Sequence, residues 1–252
     1  MILDTFRIEG KVALVTGGTK GIGGAIARAL AEAGADVAVV SRQEDSEIEK
    51  AILATGKRYL HHPADLTKRN ETRAVIPAVF ERMGNLDILV NNAGICPRAP
   101  ALDFSEADWD ATLEINLTAN FILSQGAARL MVKKKSGKII TVASILAFQG
   151  GINIPAYAAS KHGLAGLTKA LSNAWAAEGI NVNAVAPGYF ATEFTRALQE
   201  DKERFDFIKK RIPAGRWGVP NDIAGTVVFL ASSASDFIHG TVLPVDGGWL
   251  AG

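Results

Sequence analysis

Three side chains in this sequence could move a proton on and off an oxygen: Ser144, Tyr157 and Lys161. Tyr157 and Lys161 are four residues apart in a helix-prone stretch, so one helix face presents both. A free phenol titrates near about 10, too high to exchange protons readily at neutral pH. A neighbouring ammonium stabilises the phenolate and lowers that value. The tuned tyrosine could then protonate a carbonyl oxygen or deprotonate an alcohol. Ser144 follows a strand-like run ending at Val142, where its hydroxyl could hold the same substrate oxygen. By itself Tyr-x-x-x-Lys recurs by chance as a surface pair, so its weight comes from its company.

A second set of residues could hold phosphate. Thr16-Gly17-Gly18-Thr19-Lys20-Gly21-Ile22-Gly23 lies between the apolar run 11–16 and the helix-prone stretch 25–33. Glycines let the backbone turn sharply, and a helix N-terminus behind them offers free N–H groups to an anion. The spacing is T-G-x-x-x-G-I-G rather than G-x-G-x-x-G. A glycine cluster could be a plain tight turn, but the flanking strand and helix favour a dinucleotide loop. An acid closing the second strand would bind a ribose 2′-hydroxyl and repel a 2′-phosphate; here that place holds Ser41-Arg42. With Lys20 in the loop, this favours NADP(H), with NAD(H) as the alternative if both cations are only solvated surface charges.

These groups need a scaffold, and the hydrophobic pattern supplies one. Apolar β-branched runs at 11–16, 36–40, 86–91, 138–142, 181–185 and 241–245 read as strands. Helical patterns alternate with them. One spans 25–33 with Gly34 in the C-cap place. Another opens at the capping-box sequence Ser105-Glu106-Ala107-Asp108 and runs toward Met131. Two more cover 157–178, closed by Gly179, and 222–232. Continuous apolar strands alternating with helices predict a mainly parallel sheet covered on both faces. Residues 189–218 break the pattern, being charged and aromatic. They read as an excursion with two short helices and a candidate lid.

Bulk properties exclude several classes. The 252 residues suit one sizeable α/β domain spanning 1–252. The formal charge of +1, with no long charged block, argues against a nucleic-acid surface or a polybasic membrane tether. The N-terminus is a poor signal peptide, and no stretch is long and uncharged enough to span a bilayer. One cysteine, Cys96, fits a reducing cytoplasm. The four histidines (His61, His62, His162 and His239) match no metal-site spacing.

Taken in order, Thr16-Gly17…Gly21-Ile22-Gly23, Asp65-Leu66, Asn91-Asn92-Ala93-Gly94, Asn116, Ser144, Tyr157-x-x-x-Lys161 and Pro187-Gly188…Thr192 resemble the short-chain dehydrogenase/reductase family over essentially the whole chain. The resemblance implies a Rossmann-type doubly wound α/β fold and hydride transfer between a nicotinamide and a secondary alcohol or ketone. It implies that Gly17, Thr19, Lys20, Gly21, Ile22 and Gly23 cradle the pyrophosphate region and that Asp65 and Leu66 meet the adenine. Asn92, Ala93 and Gly94 would line the adenosine side. Pro187, Gly188 and Thr192 would hold the carboxamide, and Lys161 the nicotinamide ribose beside Tyr157. Asn116 would hold a water in a proton relay to Lys161. A homotetramer is implied, packing 105–131 and 157–178 against their mates, with no nucleic-acid or membrane partner.

Within the family, Phe148-Gln149-Gly150-Gly151-Ile152, the run Arg211 to Gly218, and the tail Val245 to Leu250 resemble sugar-acid dehydrogenases. The substrate would then be a sugar acid such as 2-keto-3-deoxygluconate or gluconate. Its carboxylate needs a cation, and Arg98 and Arg196 are the candidates. Asn153, Glu193 and Phe194 depart from the pattern of that branch. Ser144, Ile145, Gln149, Asn153, Tyr189 and Phe194 complete the expected substrate site. If both arginines are rim charges, the site is instead that of a broad ketone reductase lined by Ile95, Ile145, Phe148, Tyr189 and Phe194. A 3-oxoacyl thioester reductase would need a basic docking patch, for which Lys133-Lys134-Lys135 is the one cluster. A non-catalytic dinucleotide sensor is disfavoured, because Asn116, Ser144, Tyr157 and Lys161 are all present.

Overall fold

The computed structural model describes residues 1–252. The core runs β1 (Val12–Thr16), α1 (Gly21–Glu32), β2 (Asp36–Ser41), α2 (Ser46–Leu53), β3 (Tyr59–Pro63), α3 (Arg69–Met83) and β4 (Ile88–Asn91). It continues through α4 (Glu106–Leu113), α5 (Ala119–Lys134), β5 (Gly137–Val142), α6 (Pro155–Trp175) and β6 (Ile180–Pro187). Helices α7 (Arg196–Glu200), α8 (Lys202–Arg211) and α9 (Asn221–Ala231) precede the last strand, β7 (Val242–Val245). The seven strands form one sheet in the order β3-β2-β1-β4-β5-β6-β7, and every pairing is parallel. The strand order reverses between β1 and β4, which leaves a crevice at their C-terminal ends.

Side-chain alternation along the strands builds a core on each face. From β1, Ala13 and Val15 face α1 and α9, packing with Ile26, Leu30, Val227 and Leu230. Val12 and Leu14 face the other way, toward Val79 of α3 and Leu123 and Met131 of α5. Both faces are sealed, so all five residues of β1 are buried. This is the doubly wound parallel architecture that the hydrophobic pattern predicts.

Three local features differ from expectation. Sequence patterning assigns no element between Arg42 and Leu86, yet α2, β3 and α3 lie there. The β3 strand reads Tyr-Leu-His-His-Pro at the sheet edge, with Leu60 its only buried residue, so it lacks an apolar run. The expected helix from Ser105 is also not continuous. Ser105 caps α4 by accepting from Asp108 N, while its hydroxyl donates to the Asp108 carboxylate rather than completing a reciprocal box. A π-helical turn at Glu114–Thr118 then separates α4 from α5. Such turns displace one residue from the regular ladder and often mark functional sites; here the displaced region holds Asn116.

The excursion after β6 does contain two short helices, α7 and α8. Its ends are tied together by Ala191 N donating to Gly218 O at 2.8 Å and Gly218 N to Tyr189 O at 2.9 Å. At the opposite end of the sheet, Gly179 turns the chain from α6 into β6 with φ of +78°. A Cβ there would stand 2.1 Å from the Lys135 carbonyl oxygen. Gly179→Ala is therefore expected to lower the unfolding free energy by at least about 1–3 kcal/mol. Chemical denaturation checks this, and an unchanged midpoint would contradict the packing described.

Candidate active site

The candidate catalytic wall is built by β5 and α6. Strand β5 ends at Val142, and the chain turns through Ser144, which is extended at φ −175° and accepts a bond from Leu146 N at 3.1 Å. Pro155 opens α6, with its ring in the helix's first turn where no N–H is needed. Tyr157 and Lys161 follow on one face of that helix. Lys161 is only 4% exposed, and its ammonium donates to the Val142 carbonyl at 2.8 Å. Its nitrogen lies 5.3 Å from the centre of the Tyr157 ring.

Burial dominates the electrostatics. Desolvation pushes Lys161 down to about 8, opposed only weakly by Cys96. The same burial raises Tyr157 above its ordinary value, with Cys96 adding to the rise. The nearby Ser144 hydroxyl and the charge of Arg98 pull it back only in part. The Lys161 ammonium is not among the causes that lower it, and burial favours the neutral phenol.

Asn116 is fully buried, and its side chain is already committed. Its Oδ1 accepts from Ile95 N at 2.9 Å, and its Nδ2 donates to Ile95 O at 2.9 Å and to Ser160 Oγ at 3.1 Å. Ser160 in turn donates to the Tyr157 carbonyl at 2.7 Å. Asn116 thus clamps the Ile95 loop to the start of α6. Its main-chain carbonyl accepts from Asn120 Nδ2 at 2.8 Å. Ser160 was not foreseen; its signal is a position three residues beyond Tyr157, on the same helix face.

The catalytic wall faces a cleft of about 310 Å3 that reaches the glycine loop. Gly17, Lys20, Gly21, Ile22, Gly23, Asn92, Ala93, Gly94, Pro187, Gly188 and Thr192 all line it. Thr16 Oγ1 accepts from Asn92 N at 2.9 Å and Ala93 N at 3.0 Å, while Asn92 Nδ2 donates to the carbonyls of Thr16 and Gly17. These bonds tie the ends of β1 and β4 together beneath the loop. A Cβ on Gly23 would lie 2.2 Å from Gly17 O and 2.4 Å from Asn92 Nδ2, so only glycine fits this close approach. Lys20 at the N-cap of α1 makes no side-chain cap, which leaves the first-turn amides open to an anion. Thr19 does not line this cleft; its main chain instead underlies Gly24.

A second hollow of about 250 Å3 continues the cleft past β2, lined by Ser41, Arg42, Asp65, Leu66, Ala93, Gly94 and Ile95. Thr67 donates to Asp65 Oδ1 through both its amide and its hydroxyl, holding that carboxyl below its ordinary range. The Ser41 hydroxyl bonds Gln43 O at 2.6 Å and His61 Nε2 at 2.9 Å. Neither Arg42 nor Lys20 makes an ion pair. The open helix terminus, the glycine cradle and the free cations together fit a phosphorylated dinucleotide.

The substrate residues divide. Arg98, Ser144, Ile145, Tyr189 and Phe194 line the cleft, and Phe194 packs at 6.0 Å centroid separation against Tyr157. Gln149, Asn153 and Arg196 do not line it. The Gln149 amide oxygen accepts from Trp249 Nε1 at 3.1 Å, bracing the C-terminal tail. Asn153 takes a left-handed φ of 61° and its carbonyl binds Ala99 N at 3.1 Å; that conformation suits asparagine far better than arginine. Arg196 opens α7 on the solvent side, because Thr195 and Leu198 turn the cleft-facing side of the helix inward. Phe148 is half exposed and also outside, while Ile95 faces the second hollow. Cys96 and Arg204 line the cleft without having been foreseen. Of the Lys133-Lys134-Lys135 cluster, Lys134 pairs with the buried Asp87, while Lys133 and Lys135 are exposed at the end of α5 without ion pairs. No helix is long and apolar enough to cross a membrane, and no group of three His, Cys, Asp or Glu side chains gathers as a metal site.

A doubly wound sheet with a glycine cradle at its switch point and a Ser–Tyr–Lys wall defines a nucleotide-dependent oxidoreductase. The family model adh_short_C2, described as Enoyl-(Acyl carrier protein) reductase, matches residues 17–250, and the chain belongs to the short-chain dehydrogenase/reductase family. It is 48% identical over 252 residues, the whole of both chains, to 2-dehydro-3-deoxy-D-gluconate 5-dehydrogenase of Escherichia coli (strain K12). It is 51% identical over 249 residues, 98% of each chain, to the protein of the same name from Bacillus subtilis (strain 168). The crystal structure of a gluconate 5-dehydrogenase from Burkholderia cenocepacia J2315 in complex with NADP and tartrate superposes over 100% of both chains, with TM-score 0.96 and 42% identity.

Proposed function

We propose that this chain exchanges a hydride between NADP(H) and the secondary alcohol or ketone of a sugar acid such as 2-keto-3-deoxygluconate or gluconate. The observation that carries this reading is the convergence of Ser144, Tyr157 and Lys161 on a cleft whose other end is the glycine cradle. Similarity over full length to dehydrogenases named for sugar acids supports the substrate class. The NADP in the B. cenocepacia structure, and the free Arg42 and Lys20, support the phosphorylated cofactor.

The amides of Gly21, Ile22 and Gly23 would hold the pyrophosphate, and Lys20, Ser41 and Arg42 the 2′-phosphate. Asp65 and Leu66 would meet the adenine, and Asn92, Ala93 and Gly94 the adenosine side. Lys161 would bind the nicotinamide ribose beside Tyr157, with Pro187, Gly188 and Thr192 at the carboxamide. When bound, the cofactor supplies or accepts the hydride. The protein's part is proton transfer. Ser144 holds the substrate oxygen, and Tyr157 gives it the phenolic proton in reduction or accepts one in oxidation. Lys161 supplies the positive charge that makes the phenolate tolerable in a buried setting.

We read the assembly as a cytoplasmic homotetramer. The single half-buried Cys96 fits a reducing compartment. Trp109 on α4 and Phe121 on α5, each over a third exposed, support a second copy covering that face.

Two outcomes follow. Tyr157→Phe should reduce kcat by at least about a thousandfold, within the range for losing an acid–base group, while NADPH titration shows binding retained. Unchanged turnover would overturn the mechanism. Lys161 is an ammonium below about 8 and neutral above it. The kcat/KM for carbonyl reduction should therefore fall as pH rises through about 8, and a profile flat to pH 10 would contradict the role given to Lys161.

A further inference from the structure

The cleft carries more positive charge than its chemistry uses. Among its lining residues are four cations, Lys20, Arg98, Lys161 and Arg204, against one acid, Glu193. Lys20 belongs to the phosphate loop and Lys161 to proton transfer, which leaves two guanidinium groups. Neither Arg98 nor Arg204 forms an ion pair, and neither side chain donates a hydrogen bond within the protein. An unpaired arginine lining a cavity is a ready partner for an anion, and of the two only Arg204 is part-buried.

The two differ in depth. Arg98 is exposed, two residues beyond Cys96 on the loop after β4. Arg204 is part-buried, on α8 of the excursion. Its position is fixed by aromatic packing: the adjacent Phe205 stacks on Trp217 at 5.1 Å, and Trp217 meets Tyr189 edge-on at 5.4 Å. Arg211 is also close to Tyr189, but its guanidinium lies over the Trp249 ring at 4.0 Å and does not line the cleft.

We propose that Arg204 is the residue that recognises the substrate's carboxylate, reading it several carbons away from the carbon that exchanges hydride. This rests on the sugar-acid reading above and adds the residue that sets its specificity. In a six-carbon acid reacting at C5, four carbon–carbon bonds separate the carboxyl carbon from the reacting one, a span of about 5 Å when extended. Arg98 is exposed on the loop that follows β4, whereas Arg204, part-buried on α8, suits a carboxylate held away from the catalytic wall. Specificity would then reside in the excursion between β6 and α9 rather than in the catalytic wall.

The test compares 5-keto-D-gluconate with L-sorbose, the same ketone chain bearing CH2OH in place of the carboxylate, using NADPH. Arg204→Met should raise KM for the acid about tenfold or more with little change in kcat, so that the acid-over-neutral ratio of kcat/KM collapses. Arg204→Lys should recover part of that ratio, and NADPH titration should show cofactor binding retained in both variants. An equal loss on both substrates, an unchanged ratio, or a selective loss in Arg98→Met instead would overturn the assignment. An unsubstituted enzyme with no preference for the acid would overturn the sugar-acid reading as well, and so separates the two failures.

Discussion

One buried charge organises the site. Lys161 sits in the wall of the cleft almost without solvent, held by a single hydrogen bond to the Val142 carbonyl. Burying an ammonium costs several kcal/mol, and here no carboxylate compensates it. The fold supplies what keeps it there. Strand β5 must stop at Val142 to present a carbonyl, and α6 must begin at Pro155 for Tyr157 and Lys161 to share the facing side. The π turn must displace Asn116 so that its amide locks both the Ile95 loop and, through Ser160, the first turn of α6. The strain of an uncompensated cation is the source of its depressed pKa, and hence of its use near neutral pH.

The second constraint is steric and lies at the topological switch point. The Thr16–Asn92 bonds pull the ends of β1 and β4 together, and Gly23 lets the helix approach the loop so closely that no Cβ fits. The first-turn amides of α1 are left facing the cleft. Cofactor cradle and catalytic wall are therefore fixed to adjacent parallel strands of one rigid sheet. The variable part, from Tyr189 to Gly218, is held across the opening by two main-chain bonds and an aromatic cluster. On the proposed reading the rigid part does the chemistry and the excursion chooses the substrate, as loops on rigid scaffolds commonly divide the work.

What was legible in the sequence was what depends on local periodicity. The strands that are buried on both faces announce themselves as β-branched runs, and the glycine loop is fixed by its place between β1 and α1. The spacing of Tyr157 and Lys161 is a helical repeat, so their shared face could be read directly. What was hidden depends on tertiary packing. The edge strand β3 carries histidines and too few apolar residues to show itself. The π turn has no periodic signature. Arg196 and Arg204 look alike in sequence, and only the roll of α7 and the aromatic seat of α8 turn one outward and the other into the cleft. Gln149 and Asn153 likewise lie beside substrate-like motifs, but a bond to Trp249 and a left-handed backbone give them structural work.

The central claim is that this wall transfers a proton while a hydride passes directly between cofactor and substrate. The measurement that tests it most directly is isotope transfer from NADPH deuterated at the nicotinamide C4, on each face in turn, to 5-keto-D-gluconate in ordinary water, read by mass spectrometry. The account predicts one deuterium on the new carbinol carbon from one of the two labelled faces and none from the other. Product carrying no label from either face, or taking its carbon-bound hydrogen from solvent when the reaction is run in heavy water, would contradict it.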